Sequence, residues 1–253
     1  MHSYDDLGNG DVLLLLHGLG NHKLAWSPQH PLSKQFRLIV PDMIGHGKSP
    51  IREDISLDHA IEDIVSLMDS LKIEQFHICG LSLGGILAQE FYRQYPHRVK
   101  SLILSNTCSY IPLFSANFFI TAQETYLQTK EPIKLKHVAI EHTLYNKTKE
   151  NLDLAHKCFD INKETYIPSS KMAVGRNYFP LLPLISVPVL IIASTKDKIT
   201  PFYHSYMIHR FIFNSKLVTI EEAGHLSNIE KPDTFNSEIL DFLQQHFPQL
   251  NAS

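Results

Sequence analysis

Ser82, Asp197 and His225 are the residues whose types and surroundings could do chemistry together. Ser82 lies in Gly80-Leu81-Ser82-Leu83-Gly84, after the β-type stretch Phe76-His77-Ile78-Cys79 and before a helix-compatible stretch from Ile86 to Tyr95. A strand, a very tight turn and a helix in that order push the serine into a strained backbone conformation. The residues two before and two after it must then be small, and Gly80 and Gly84 meet that need. A serine hydroxyl is a poor nucleophile at neutral pH, so a histidine must take its proton as it attacks. That imidazole needs a buried carboxylate to hold one tautomer and to stabilise its cation. His225 and Asp197 each fall just past a separate apolar run and fill those two roles in this reading. Attack also creates an oxyanion, which needs preorganised N–H donors. The backbone N–H of Leu83 stands at a helix start, where the dipole helps, and Leu19, in the loop after the first apolar run, is the candidate second donor.

The elements that must position these residues follow from the apolar pattern. Val12 to Leu16 is continuously apolar between Gly10 and Gly18, as suits a strand buried on both faces of a parallel sheet. Phe36 to Val40, Phe76 to Cys79, Val99 to Leu104, Val187 to Ala193 and Lys216 to Ile220 read as further strands. Helices alternate with them: one after the cap Ser56, one after Ser82, one from Pro201 to about Arg210, and one from Asn228 to Phe247. This rhythm means right-handed crossovers and a doubly wound, mostly parallel α/β sheet. The rhythm breaks between about Cys108 and Leu184, where no β-type run occurs. Ala116–Lys130, Ile133–Tyr145, Lys149–Phe159 and Lys163–Tyr178 are helix candidates there. The expected organisation is therefore an α/β core over residues 1–107 and 185–253, with a helical insertion at 108–184.

Five motifs together carry a resemblance. His17-Gly18-Leu19-Gly20, Pro41-Asp42-Met43-Ile44-Gly45-His46-Gly47-Lys48-Ser49, Gly80-Leu81-Ser82-Leu83-Gly84-Gly85, Asp197-Lys198-Ile199-Thr200-Pro201 and Ala223-Gly224-His225 resemble those of the α/β-hydrolase fold superfamily. The branch resembled is that of small carboxylesterases, enol-lactonases and carbon–carbon bond hydrolases. The chain order Ser, Asp, His is the one expected of that fold, and the match covers about residues 10–107 and 185–247. The resemblance implies a helical cap over the pocket, inserted after the sixth family strand, and a sheet of about six to eight strands. Family members usually have two antiparallel strands before the His-Gly motif. Only sixteen residues precede His17, so at least one strand is expected to be missing or reduced.

Other readings are less consistent with the pattern. His17 and His46 lie beside glycines in motif loops and read as structural hydrogen-bonding groups, and Asp42 reads as a loop brace. No acid follows the Val99–Leu104 strand, which leaves Asp197 as the carboxylate for His225. Fifteen histidines show no His-x-x-x-His or His-Glu-x-x-His spacing, and the Gly-x-Gly pairs do not continue into a phosphate loop, so neither metal nor cofactor is expected. Trp26, Phe114, Phe118 and Phe119 read as core rather than as an acyl pocket.

A net charge of −3 and the absence of a basic tract give no reason to expect nucleic acid or an anionic membrane as partner. Three scattered cysteines suggest reduced thiols and a cytoplasmic location. The stretch Met1-His2-Ser3-Tyr4-Asp5-Asp6 lacks a basic n-region, so no secretory signal is expected. The function expected is a cofactor-free serine hydrolase of a small carboxylic ester or lactone, acting through an acyl-enzyme. Carbon–carbon cleavage of a vinylogous diketone, acyl transfer, and a ligand receptor with a vestigial site stand as alternatives. The segment 108–184 has no clustered arginine pair to grip a dianion, which favours apolar acyl groups.

Overall fold

In the computed structural model, which describes residues 3–52 and 54–248, the run Val12–Leu16 is buried along its whole length. Leu13 and Leu15 face one hydrophobic cluster while Val12, Leu14 and Leu16 face another, which is why the run is continuous rather than alternating. It is β2 of a seven-stranded sheet formed by β1 (Tyr4–Leu7), β2, β3 (Arg37–Pro41), β4 (Phe76–Leu81), β5 (Val99–Ser105), β6 (Val189–Ser194) and β7 (Ser215–Ile220). Their order is β1-β3-β2-β4-β5-β6-β7; β1 pairs antiparallel with β3 and every other pairing is parallel. Among the described residues one strand, β1, thus stands before β2, against the two that the resemblance implied. Tyr4-Asp5-Asp6-Leu7 was not legible as a strand because its acids face solvent at the sheet edge. Those acids pair with Lys23 and Arg37.

Helices cover both faces. On one side lie α1 (Leu57–Ser70), α2 (Leu83–Gln94) and α7 (Phe202–Phe211), with Ile61, Ile64, Phe91 and Ile208 in the shared core. Ser56 caps α1 as expected, its side chain accepting from the His59 N–H at 3.3 Å. On the other side lie α9 (Pro232–His246) and the 3-10 segment Lys23–Lys34, which place Phe235, Ile239, Phe242 and Trp26 against Leu13 and Leu15. The single C-terminal helix expected is instead α8 (Ser227–Glu230) followed by α9. Lys231 breaks it at φ −138°, ψ 58°, because the ring of Pro232 disfavours helical backbone in the residue before it.

Between β5 and β6 run α3 (Leu113–Thr129), α4 (Pro132–Thr143), α5 (Lys149–Cys158) and α6 (Tyr166–Lys171). The last is much shorter than the helix expected over Lys163–Tyr178: the chain turns at Met172–Gly175, where Gly175 takes φ 73°. Trp26 is core as expected, but Phe114, Phe118 and Phe119 are exposed. The reason is that α3 turns Ala116, Ile120 and Leu127 inward instead. Among the described residues no helix is long and apolar enough to cross a membrane, and no group of three or more His, Cys, Asp or Glu is placed to hold a metal ion. Met1, His2, Glu53 and residues 249–253 of the expected core lie outside the described residues.

Candidate active site

The turn from β4 into α2 places Ser82 at φ 55°, ψ −115°, a backbone conformation that L-residues rarely adopt. What holds it there is close packing of backbone on both sides. A Cβ at Gly80 would lie 2.2 Å from the Gly84 carbonyl oxygen, and one at Gly84 would lie 2.1 Å from that of Leu16. Only glycine admits this approach, which presses the start of α2 against the carboxyl end of β2. The Thr107 hydroxyl donates to the Ser82 carbonyl at 2.7 Å, and the Ser82 N–H donates to the Ser105 carbonyl at 3.0 Å. The serine is thus fixed by backbone bonds and its hydroxyl is left without a hydrogen-bond partner among the described residues.

Asp197 and His225 come together from the carboxyl ends of β6 and β7. His225 Nδ1 lies 2.8 Å from Asp197 Oδ2, and since a carboxylate can only accept, the proton sits on Nδ1. Nε2 is thereby left as the basic nitrogen, and His225 lines the same pocket as Ser82. No hydrogen bond joins the Ser82 hydroxyl to His225, and catalytic hydrogen bonds of this kind often tighten only in the complex with substrate. Asp197 is further held by the N–H groups of Ile199 and Thr200 at 2.7 and 3.0 Å and by the Thr200 hydroxyl at 2.7 Å. Burial opposes its charge. The His225 ring and the Thr200 donors outweigh that, so its carboxyl titrates below the usual aspartate value.

Of the two candidate donors, Leu83 follows Ser82 directly in the chain and Leu19 lines the same pocket as Ser82. Leu83 opens α2, so its N–H has no acceptor within the helix. The loop carrying Leu19 touches Ser82 closely: a Cβ at Gly18 would lie 3.4 Å from the serine Cβ. That loop is braced from below. Buried His17 accepts from the Met43 N–H at 3.1 Å through Nε2 and pairs with the Gly18 carbonyl at 2.9 Å through Nδ1. Burial, with the neighbouring His46, drives the His17 pKa down to about 3, so this ring is neutral. Asp42 accepts from the Lys23 and Lys48 N–H groups and from the Ser3 hydroxyl. These positions for His17 and Asp42 agree with the structural readings of both. β2 and β4 are sheet neighbours at the point where the strand order reverses, the place where open α/β sheets bind their ligands.

The pocket has a volume of about 280 Å³. Leu135, Val138, Ala139 and Phe159 from the helical segment form much of its wall, with Gln123, Asn21, Tyr166, His142 and Thr143 as polar points, and no Lys, Arg, Asp or Glu lines it among the described residues. Two residues that the motif reading missed also shape the site. Asn106, at φ 41° just past β5, donates from its side-chain amide to the His225 carbonyl at 2.8 Å. Asn21 donates to the Leu19 carbonyl at 3.3 Å and its backbone bridges to Phe159 of the helical segment. The signal for Asn106 was its place at a strand's carboxyl end; an amide there was passed over in the search for an acid.

Two family models match the chain: one described as α/β hydrolase fold over residues 11–131, and one described as TAP-like protein over residues 155–251. A 3-oxoadipate enol-lactonase of Acinetobacter baylyi is 28% identical over 239 residues, covering 90% of this chain and 86% of that protein. Among solved structures, an enol-lactonase from Burkholderia xenovorans is 26% identical with a TM-score of 0.88, covering 96% of each chain. A thermophilic esterase from Thermogutta terrifontis is 26% identical with a TM-score of 0.89, covering 97% of this chain and 93% of that one. With its seven-stranded sheet, the serine turn after β4 and these matches along nearly its whole length, the chain belongs to the α/β-hydrolase fold superfamily.

Proposed function

We propose that the chain is a serine hydrolase that cleaves a small carboxylic ester or lactone through an acyl-enzyme. The observation that carries this reading is the 2.8 Å bond between His225 Nδ1 and Asp197, which leaves Nε2 basic in a pocket that Ser82 shares. In this reading Ser82 Oγ attacks the carbonyl carbon while His225 Nε2 takes its proton. The negative charge on the carbonyl oxygen is met by the N–H groups of Leu83 and Leu19, each worth roughly 3–4 kcal/mol of transition-state stabilisation when removed. His225 then gives its proton to the leaving alkoxide, which departs or, for a lactone, stays attached to the acyl group. Water, deprotonated by the same nitrogen, releases the acid and restores Ser82. Asp197 holds the ring in the required tautomer throughout.

The enol-lactonase and esterase relatives support ester and lactone chemistry. With no Lys, Arg, Asp or Glu in its wall among the described residues, the pocket favours an acyl group that is itself largely apolar. The helical segment 108–184 would act as the cap that supplies this wall.

Hydrolysis of p-nitrophenyl esters from C2 to C12, wild type beside Ser82→Ala, tests the reading. Turnover that disappears in S82A, with an optimum at short or medium chains, is expected. An enzyme inert to every ester, whose Ser82 still reacts with a fluorophosphonate, would keep the nucleophile and turn the reaction toward carbon–carbon cleavage or acyl transfer. Folded protein with neither activity would favour a receptor.

A further inference from the structure

Glu230 ends α8 and is buried, 7% exposed, with no lysine, arginine or histidine in ion-pair contact among the described residues. Its carboxylate is instead filled by three backbone donors. Oε1 accepts from the Gly224 N–H at 2.9 Å, and Oε2 from the N–H groups of Asn146 at 2.6 Å and Tyr145 at 3.1 Å. Gly224 is the residue before His225; Tyr145 and Asn146 come just after Leu144, the C-cap of α4, which forms part of the pocket wall. The two backbones touch. The His225 N–H donates to the Thr143 carbonyl at 2.7 Å, and a Cβ at Gly224 would lie 2.6 Å from that same oxygen. The whole junction therefore sits where the loop bearing His225 meets the wall that would face an acyl group.

A carboxylate suits this junction where an amide does not. It offers lone pairs on both oxygens, enough for three N–H groups arriving from two directions. Glutamine would turn an NH2 group toward either Gly224 or the Tyr145–Asn146 pair and leave a buried donor unpaired. Burial raises the Glu230 carboxyl above the usual glutamate value and the charge of Asp197 adds to this, while the three N–H bonds act in the opposite direction. A buried acid without a cation is costly to keep merely as filler.

We propose that Glu230 is a positioning residue which fixes the loop of His225 to the end of α4, so that the base and the pocket wall are placed together. It touches no substrate in this role. The inference rests on the reading of His225 as the general base, and the experiment separates the two.

The test compares wild type, E230Q, E230D and S82A for kcat and KM on p-nitrophenyl acetate, butyrate and hexanoate. Competent sites are counted by endpoint fluorophosphonate titration, so that unfolded molecules drop out. The expected result is a kcat per titrated site reduced about 10- to 100-fold in E230Q, as for a base misplaced by a fraction of an ångström to an ångström. The three esters should also change in relative rate, because the wall moves with the loop. E230D keeps the charge but falls one methylene short, and should show the same loss in smaller measure; it carries the test if E230Q does not fold. An E230Q or E230D with wild-type kcat per site and only a lowered Tm would overturn the inference while S82A remains inactive. An S82A enzyme with wild-type turnover would overturn the serine reading itself.

Discussion

His225 holds one proton position because Asp197 can only accept, and this single bond sets what the ring can do. Replacing Asp197 by asparagine keeps its size but offers an NH2 donor to Nδ1, so the proton moves to Nε2 and the base is lost. The account expects D197N to lose about 10⁴-fold in kcat with little change in KM, measured on p-nitrophenyl butyrate at pH 7. A loss below about tenfold would mean that another carboxylate orients the ring. Because Asp197 titrates below the usual aspartate value, it remains ionised throughout the range in which such an assay is run. At this scale the residues with motif neighbours were legible: Ser82 by its flanking glycines, His225 and Asp197 by their places past strands. Those that act through backbone atoms were not. Asn106 and Glu230 bond across sequence separations that only the folded sheet closes, and their side-chain types are common in any loop.

At the scale of elements, the contact between α2 and β2 is made of backbone alone, so a methyl group cannot be absorbed by a side-chain rotation. Gly84→Ala, with its Cβ placed 2.1 Å from the Leu16 carbonyl oxygen, is expected to shift α2 away from β2. The expected readouts are a Tm lowered by several degrees or insoluble protein, together with loss of fluorophosphonate labelling; unchanged labelling and Tm would show that the turn tolerates widening. The wall supplied by α4 gives a gentler test. Leu135→Trp fills pocket volume, so the ester chain-length optimum should move to shorter acyl groups with S82A-sensitive turnover retained. An unmoved optimum would place the acyl group elsewhere. The parallel strands were readable because burial on both faces leaves an uninterrupted apolar run. The edge strand β1 has only one neighbour and carries Asp5 and Asp6, so it lacked that signature. In α3 the helix itself was legible but its inward face was not, since Phe114, Phe118 and Phe119 are as apolar as the residues that are buried.

For the molecule as a whole, buried neutral histidines tie stability to pH. The folded-state pKa of His17 lies at about 3, and burial also lowers those of His46 and His77, all from an ordinary value of 6.5. The unfolded chain therefore binds protons below about pH 6.5 that the folded chain does not. The stabilisation is complete above that pH and is lost as the pH falls toward the folded-state values. Each such group tilts stability by up to about 1.4 kcal/mol per pH unit within its window. Urea unfolding from pH 7.5 to pH 4 should show stability falling steadily. His17→Gln should be less stable at pH 7.5, with a shallower slope below pH 6.5. A flat profile in wild type would mean that these rings are protonated in the fold.

The central claim is that Ser82 is the nucleophile activated by His225, and covalent labelling reaches it without any assumption about substrate. Wild type, S82A and His225→Ala would be treated with a fluorophosphonate, weighed intact and mapped by peptide. The account predicts one adduct per chain on Ser82, none in S82A, and labelling slowed at least 100-fold in H225A, within the range that mutagenesis assigns to a general base. An adduct on another residue, or labelling of S82A at the wild-type rate, would contradict it.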